Sequence, residues 1–397
     1  MADAWPLVPI GEIAKPVERS ETPIAGIIYR QVGVKLWGNG AYERESIDGS
    51  QTRYKMLSRI EESDIIVNKI WARNGSVAVV SENLAGCYVS GEFPTFAPMR
   101  DRLEPRWFHW ITKTRDFWSQ CDEKSRGTSG KNRIKPELFL TIEIPLPPLD
   151  EQRRIVARIE ELAAKIEEAR GLRRQAVEEA EALIASEISR IFSEGEENGW
   201  IEVTLGNYVV DDRYGTSEKT TDDSSGTPIL RMGNIQNGRL DLRDLKYLHL
   251  REKERARLLL ARGDILVNRT NSAELVGKCA VFDLDGEFSF ASYLIRLRLD
   301  TIRAEPKLVA TYINSPAGRQ YMFSERKQMT GQANVNATKL KALPIALSPL
   351  QEQRRIVAYL DDLLAKVDAL KRLQAQTQAE LDALLPSVLD KAFKGEL

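Results

Sequence analysis

The chain has 397 residues, 42% of them hydrophobic, and a formal net charge of −1. Such a length favours two or more folded domains, and such a charge excludes a protein that coats nucleic acid by bulk basicity, though a local basic face offset by acidic helices stays open. Three well-separated cysteines (Cys87, Cys121, Cys279) and only two histidines (His109, His249) read as isolated, buried thiols in a reducing compartment and argue against a zinc site.

The start, MADAWPLVPIGEIAK, has no charged region followed by an apolar one, so no signal peptide is expected. No apolar run approaches the roughly 18 residues of a membrane span. A cytoplasmic protein without membrane contact is the expectation.

Residues 1–144 are expected to form a first domain. Short runs rich in β-branched residues, such as AGIIYRQVGV, DIIVNKIW and GSVAVVS, alternate with glycine and asparagine turns, the pattern of strands. RWFHWITKTRDFWSQC, from Arg106, reads instead as a helical face or two short helices whose aromatic residues enter the core. KSRGTSGKNRIK, from Lys124, is basic, glycine-rich and too polar for a core. It is either a solvated loop or a loop that contacts phosphate.

A long helix is expected within 145–195. Ile155, Ile159, Leu162, Ile166, Ala169, Ala176, Ala180 and Leu183 fall on alternating spacings of four and three, a heptad seam with Arg173 as its polar exception. Gly195 is the expected stop. The second domain, 196–344, again alternates strand-like runs (TPILRMGNI, GDILVNRT, GKCAVFDL, SYLIRLRL) with turns. A second long helix is expected within 345–397. Ser348-Pro349-Leu350-Gln351 offers it a serine cap, a proline at the first helical position and a glutamine at the third. Its seam is Ile356, Leu360, Leu363, Val367, Leu370, Leu381, Leu384 and Val388, with Gln374 at the site equivalent to Arg173.

The two helical segments are duplicated. Residues 151–157, EQRRIVA, return letter for letter at 352–358, an offset of 352 − 151 = 201. Asp64-Ile65-Ile66-Val67-Asn68-Lys69 likewise resembles Asp264-Ile265-Leu266-Val267-Asn268-Arg269. The repeat is too long for a solenoid unit. It predicts domain, helix, domain, helix. Each helix is about 44 residues, or roughly 65 Å, by the rise of 1.5 Å per residue. One amphipathic helix alone leaves its stripe wet, so the pair is expected to close into an antiparallel intramolecular coiled coil. The fold class is α+β: two mixed α/β domains separated by that coil, with pseudo-twofold symmetry.

These features resemble the specificity subunit of type I restriction–modification systems over essentially the whole chain. The residues that carry the resemblance are the duplicated P-L-x-E-Q-R-R-I-V-A segment and, in the second domain, YGTS (214–217), LRMGNIQNG (230–238), GDILVNRTNS (263–272), ELVGK (274–278), ASYLIRLR (291–298) and GQANVN (331–336). The first domain departs from them, with NKIWARNG (68–75) in place of NRTNSAEL and VSGEFPTF in place of ASYLIRLR. The resemblance implies a subunit that performs no chemistry. Each domain would be a target recognition domain reading one half of a bipartite double-stranded DNA site. The helices would set the spacing and dock two modification subunits, which bring S-adenosylmethionine and methylate adenine. Restriction subunits, which use ATP and magnesium, would join the larger complex, and this chain would hold no cofactor of its own. Two half-sites about one helical turn apart suit a duplicated reader.

Base reading calls for directional donors, and phosphate contact for Lys, Arg, Ser or Thr. The loop Asn268-Arg269-Thr270-Asn271-Ser272, leaving an apolar strand, is the first candidate, although Asn and Ser also serve ordinary turns. Arg231 with Asn234 and Tyr214 with Thr216 and Ser217 come next. Gln332, Asn334 and Asn336 either join them or brace the start of a helix. In the first domain Lys69, Arg73 and Asn74 hold the corresponding place, Lys35 and Arg53 are further candidates, and Arg126, Lys131 and Arg133 are phosphate candidates. Arg153, Arg154, Arg354 and Arg355, on the exposed helix faces, are candidates for partner docking or simply solvated charge.

Two other classes compete. A self-contained methyltransferase or nuclease lacks support: there is no N-P-P-Y or D-P-P-Y motif and no glycine-rich cofactor loop, and the E-x-K spacing of Glu325-Arg326-Lys327 has no matched acidic partner. A coiled-coil tether with protein-binding ends explains the helices but not two diverged domains rich in Asn and Arg.

Overall fold

The structure is a computed structural model that describes residues 5–125, 132–272, 275–329 and 332–397, with the backbone alone at 271, 327–329, 332 and 333. The chain divides into two compact units, Met1–Arg173 with Ala375–Leu397, and Arg174–Gln374.

Both units repeat one sheet plan. In the first, a four-stranded antiparallel sheet runs in the order Val77–Val79, Ile65–Val67, Thr95–Pro98, Ala14–Pro16. In the second the order is Cys279–Val281, Ile265–Asn268, Leu294–Leu299, Val209–Tyr214, again antiparallel. The inner strands Ile65–Val67 and Ile265–Asn268 are buried at every residue. That explains why they read as unbroken apolar runs rather than alternating ones. The first and last strands of each domain pair with one another, Leu7–Pro9 with Glu143–Pro145 and Ile201–Thr204 with Pro344–Leu347. This pairing delivers the chain to the following helix. The aromatic stretch forms two helices, Pro105–Ile111 and Arg115–Ser125, with Trp107, Phe108, Trp110, Ile111 and Phe117 buried.

The long helices are α1 (Leu149–Glu197), α2 (Leu350–Gln376) and α3 (Gln378–Lys394). Within the first unit α1 and α3 run antiparallel: Arg154 donates to the Leu397 carbonyl, and sixteen residues on Arg170 pairs with Asp382 at 3.1 Å. Within the second unit α1 and α2 do the same, through Lys371 with Glu181 and the Tyr359 hydroxyl with Glu187. The helices also complete the domain cores. Ile155, Val156, Ile159, Leu389 and Ala392 belong to the first, and Phe192, Ile356 and Leu360 to the second.

Four local expectations need correction. Leu183 and Leu384 are 56% and 47% exposed. Ile188 and Ile191, and Leu385 and Leu389, face the cores instead. A 3.6-residue helix drifts about 20° per heptad against a strict seven-residue repeat, and the break at Thr377 between α2 and α3 removes any need to supercoil through it. Helix α1 does not stop at Gly195. It continues to Glu197 and closes with Gly199 at φ +80, whose N–H donates to the Glu196 carbonyl while the Trp200 N–H reaches the Gly195 carbonyl at 2.9 Å. This is the paired bonding of a glycine-terminated helix. Gly195 is there for another reason, since a Cβ on it would fall 2.5 Å from the Trp200 ring. Finally, Ser348 does not cap α2. Its hydroxyl is buried without a partner among the described residues, and the first free N–H groups bond the Pro349 carbonyl.

The duplicated glutamines brace domain to helix. Buried Gln152 donates to the carbonyls of Arg102 and Pro147, both at 2.8 Å, and accepts from the Glu104 N–H at 2.9 Å. Gln353 repeats this with Arg303, Ser348 and Glu305 at 2.9, 2.7 and 2.8 Å.

Burial, with the charges of Lys113 and Arg106, pushes His109 down to about 4 from 6.5. The unfolded chain therefore binds a proton that the fold rejects. Stability should be intact above pH 6.5 and fall by on the order of 2 kcal/mol as the pH drops toward 4. Urea unfolding of the native chain and of His109→Phe tests this: the difference between their curves should open across that window, and parallel curves would contradict it.

Candidate nucleic-acid interface

In the second unit three distant stretches meet. The inner strand Ile265–Asn268 stops at Asn268, and the chain then pairs outward, Thr270–Asn271 against Gln332–Asn334, which pairs in turn with Lys327–Met329. The Asn334 amide donates to the Thr270 hydroxyl at 2.8 Å. Half-buried Arg269 lies over the Tyr214 ring, 4.5 Å to its centroid, and its Nε has no partner among the described residues. The Tyr214 hydroxyl accepts the Ala337 N–H at 3.0 Å, so the ring is anchored at its hydroxyl by the start of the helix Ala337–Lys341 while the guanidinium lies over it. Asn336 caps that helix. Tyr214 is 40% exposed. Ser217 and Ser272 are exposed beside the strands, while Thr216 is buried and holds the Glu218 N–H. Asn268 is buried, its backbone in the ladder and its side-chain oxygen unpaired among the described residues.

Arg231 and Asn234 are a separate group. Arg231 pairs with Asp244 at 2.7 Å. Buried Asn234 accepts the Arg231 N–H and donates to the carbonyls of Asp241 and Asp244, so its amide holds its own loop together.

In the first unit the equivalent strand end carries Asn68, whose side-chain oxygen accepts the N–H groups of Ile70 and Trp71 at 3.0 and 3.3 Å. This pins a turn from which Trp71 projects, 45% exposed. Arg73 lies over the Trp71 ring and Lys35 over the Tyr42 ring, each 5.9 Å to the centroid. The loops that carry them are stitched by backbone bonds: Trp37 N–H to the Asn74 carbonyl at 2.7 Å, and Gly38 N–H to that of Gly75 at 2.9 Å. These hold bulky Trp37 at φ +59, a region such a residue rarely occupies. Lys69 is half-buried and donates to the Gly91 carbonyl, Arg133 pairs with Glu92 at 3.0 Å, and Arg53 is exposed without a bond to the group. Arg126 and Lys131 lie outside the described residues.

Arg153 and Arg354 face Glu104 and Glu305 at 3.6 and 3.8 Å, and Arg154 and Arg355 pair with Glu151 and Glu352 one turn back; all four side chains are more than half exposed. Sequence reasoning did not single out Tyr42, Arg44, Trp71 or Arg326. The pairs Tyr42/Arg44 and Trp71/Arg73, an aromatic residue and a cation two apart, were the available signal. Arg326, which lies over Phe323, had none. Among the described residues no three His, Cys, Asp or Glu side chains gather to hold a metal, and no helix is long and apolar enough to cross a membrane.

Each of the two repeated units presents a cation against an exposed ring beyond the corresponding sheet strand. A family model described as the type I restriction modification DNA specificity domain matches residues 2–178 and 199–380. The chain is similar to the specificity subunit of the type I restriction enzyme StySPI of Salmonella potsdam, 28% identical over 306 residues, 74% of this chain and 66% of the relative. It is 29% identical to the EcoKI specificity subunit of Escherichia coli K12 over 300 residues, 72% and 64%. It thus spans just under two thirds of the length of these relatives. A chain solved in work on complex assembly and conformational transition of the type I R-M system matches with a TM-score of 0.77 and 26% identity, covering 100% of this chain and 99% of that one. The HsdS subunit of Thermoanaerobacter tengcongensis matches at 0.65 and 27%, covering 100% and 98%. This chain belongs to the family of type I restriction–modification specificity subunits, which are not themselves enzymes.

Proposed function

We propose that this chain reads a bipartite double-stranded DNA target for a type I restriction–modification complex. Residues 1–144 and 196–344 are the two recognition domains, one for each half-site. The helical regions 145–195 and 345–397 set the gap and dock two modification subunits, which supply S-adenosylmethionine for adenine methylation. Restriction subunits, with ATP and magnesium, add cleavage of unmodified DNA. The observation that carries this reading is the repeated placement of a ring-backed cation: Arg269 on Tyr214 in one unit, and Arg73 on Trp71 in the other. A guanidinium seated over a ring, with no carboxylate paired to it among the described residues, suits bidentate readout of a guanine edge.

Arg269 is therefore the principal base contact of the second domain, with Asn271 and Asn334 as adenine readers and Thr270, Ser272, Ser217 and Gln332 on the sugar–phosphate. Asn234 and Thr216 hold the loops, buried Asn268 stands at the strand end just before Arg269, and Arg231 meets phosphate. In the first domain Arg73, Asn74 and Lys35 face bases, while Lys69, Arg53, Arg126, Lys131 and Arg133 face phosphate. The exposed Arg153, Arg154, Arg354 and Arg355 are the docking contacts. Arg269→Ala is expected to weaken specific binding by roughly 10- to 100-fold, the worth of one good bidentate contact, and to leave nonspecific binding nearly unchanged. Gel-shift titration on target and scrambled duplexes checks it. An equal loss on both would make Arg269 a phosphate contact.

A further inference from the structure

The first unit contains a cavity of about 350 Å³. That is near the lower end of small-ligand sites, roughly 300–1,000 Å³. Its walls include Tyr42, Trp71 and Phe93, its floor Gly33, and its polar groups Asn68 and Arg44. Each part is fixed. Gly33 lets the Tyr42 ring lie against the strand Val32–Val34, since a Cβ there would come within 2.8 Å of that ring. Asn68 spends its oxygen on the turn that carries Trp71. Its amide hydrogens are then available to an acceptor on a ligand. Tyr42 is 43% exposed, so two large rings stand partly in water around a concave space.

The electrostatics are one-sided. Cations elsewhere in this unit are commonly tied to carboxylates, as Arg30 is to Glu43 and Arg106 to Glu160. Arg44, Lys35 and Arg73 have no ion pair among the described residues, and no carboxylate lines the cavity. Aromatic faces, an amide donor and free cations at the rim match a planar heteroaromatic ring joined to a phosphate. A space of about 350 Å³ is of a size to admit one such ring.

We propose that this cavity binds a single unstacked nucleobase of the DNA, the ring against Trp71 and Tyr42, an acceptor of the base on the Asn68 amide, and the attached phosphate on Arg44. This rests on the reading of the first unit as a DNA-binding domain and adds an extruded base to it. Taking a base from the stack is unfavourable, least where the pair is already weak, so a mismatch at that position should raise affinity.

The test has two arms, both with the full chain. In the first, the four deoxynucleoside monophosphates are examined by saturation-transfer NMR. Transfer to base protons is expected for at least one, with affinity lowered at least fivefold by Trp71→Ala and by Tyr42→Ala and unchanged by Arg262→Ala, at a surface residue of the other unit that pairs with Asp285. Circular dichroism confirms folding of each variant. Absence of transfer for all four, or transfer indifferent to both aromatic variants, overturns the proposal. In the second arm, target duplexes with a mismatch placed at each position of the half-site that the first unit reads are titrated. One position should bind at least fivefold more tightly than the matched duplex, and Trp71→Ala should abolish that gain. If the matched target is bound specifically and no mismatch gains, the extruded base is overturned while the reader stands. If no duplex is bound specifically, it is the reader that fails.

Discussion

Replacing Gln353 by alanine is expected to cost the second unit about 3 kcal/mol. The buried amide satisfies three backbone groups at once, the carbonyls of Arg303 and Ser348 and the N–H of Glu305. Alanine leaves all three without a partner in a space too dry to replace them, and each orphaned group costs about 1–3 kcal/mol, part of which relaxation returns. Gln353→Glu should not rescue it, because a carboxylate would face two carbonyl oxygens. Gln152→Ala should behave alike in the first unit. Urea denaturation measures both, and a loss under about 1 kcal/mol would show that the brace is dispensable. The brace also gives a structural reason why the EQRR segment is copied letter for letter: the same glutamine ties the same backbone turn to the same helix start in both halves.

Removing one heptad from each helix, around Arg173 and Gln374, is expected to shift the spacing of the DNA target or abolish methylation. Seven residues span about 10.5 Å at 1.5 Å each, close to three base pairs at about 3.4 Å per pair. A whole heptad from both partners keeps the antiparallel seam in register, which a single-helix deletion would not. Arg173 and Gln374, the polar seam positions, lie at the two boundaries between the compact units, so a cut there leaves each domain core whole. Methylation mapping reads the result. An unchanged gap with full activity would mean that the helices do not measure distance.

Much of this was legible in the sequence. Burial of Ile65–Val67 and Ile265–Asn268 on both faces leaves an apolar run that the eye finds. The heptad pattern located α1 because Ile155, Ile159 and Ile166 have to be covered. The seam positions Leu183 in α1 and Leu384 in α3 were misread because a straight helix drifts against a strict seven-residue repeat, and both are exposed. Ser348 carried the right residue type for a cap, but its neighbours bury the hydroxyl. The recognition site was legible only in pieces. Tyr214, Arg269 and Asn334 belong to three stretches, and only the pairing of Thr270–Asn271 with Gln332–Asn334 gathers them. The aromatic cavity of the first unit is likewise a product of two stitched loops; the pairs Tyr42/Arg44 and Trp71/Arg73 mark its parts in the sequence but not that they meet.

The most direct measurement is adenine-methylation mapping in cells that carry this chain with a modification subunit. A split motif is expected, two short specified parts at a fixed gap, and exchanging 196–344 for another recognition domain should rewrite one part and spare the other. Methylation of one continuous site, or a change in both parts after the exchange, would contradict two independent readers on one chain.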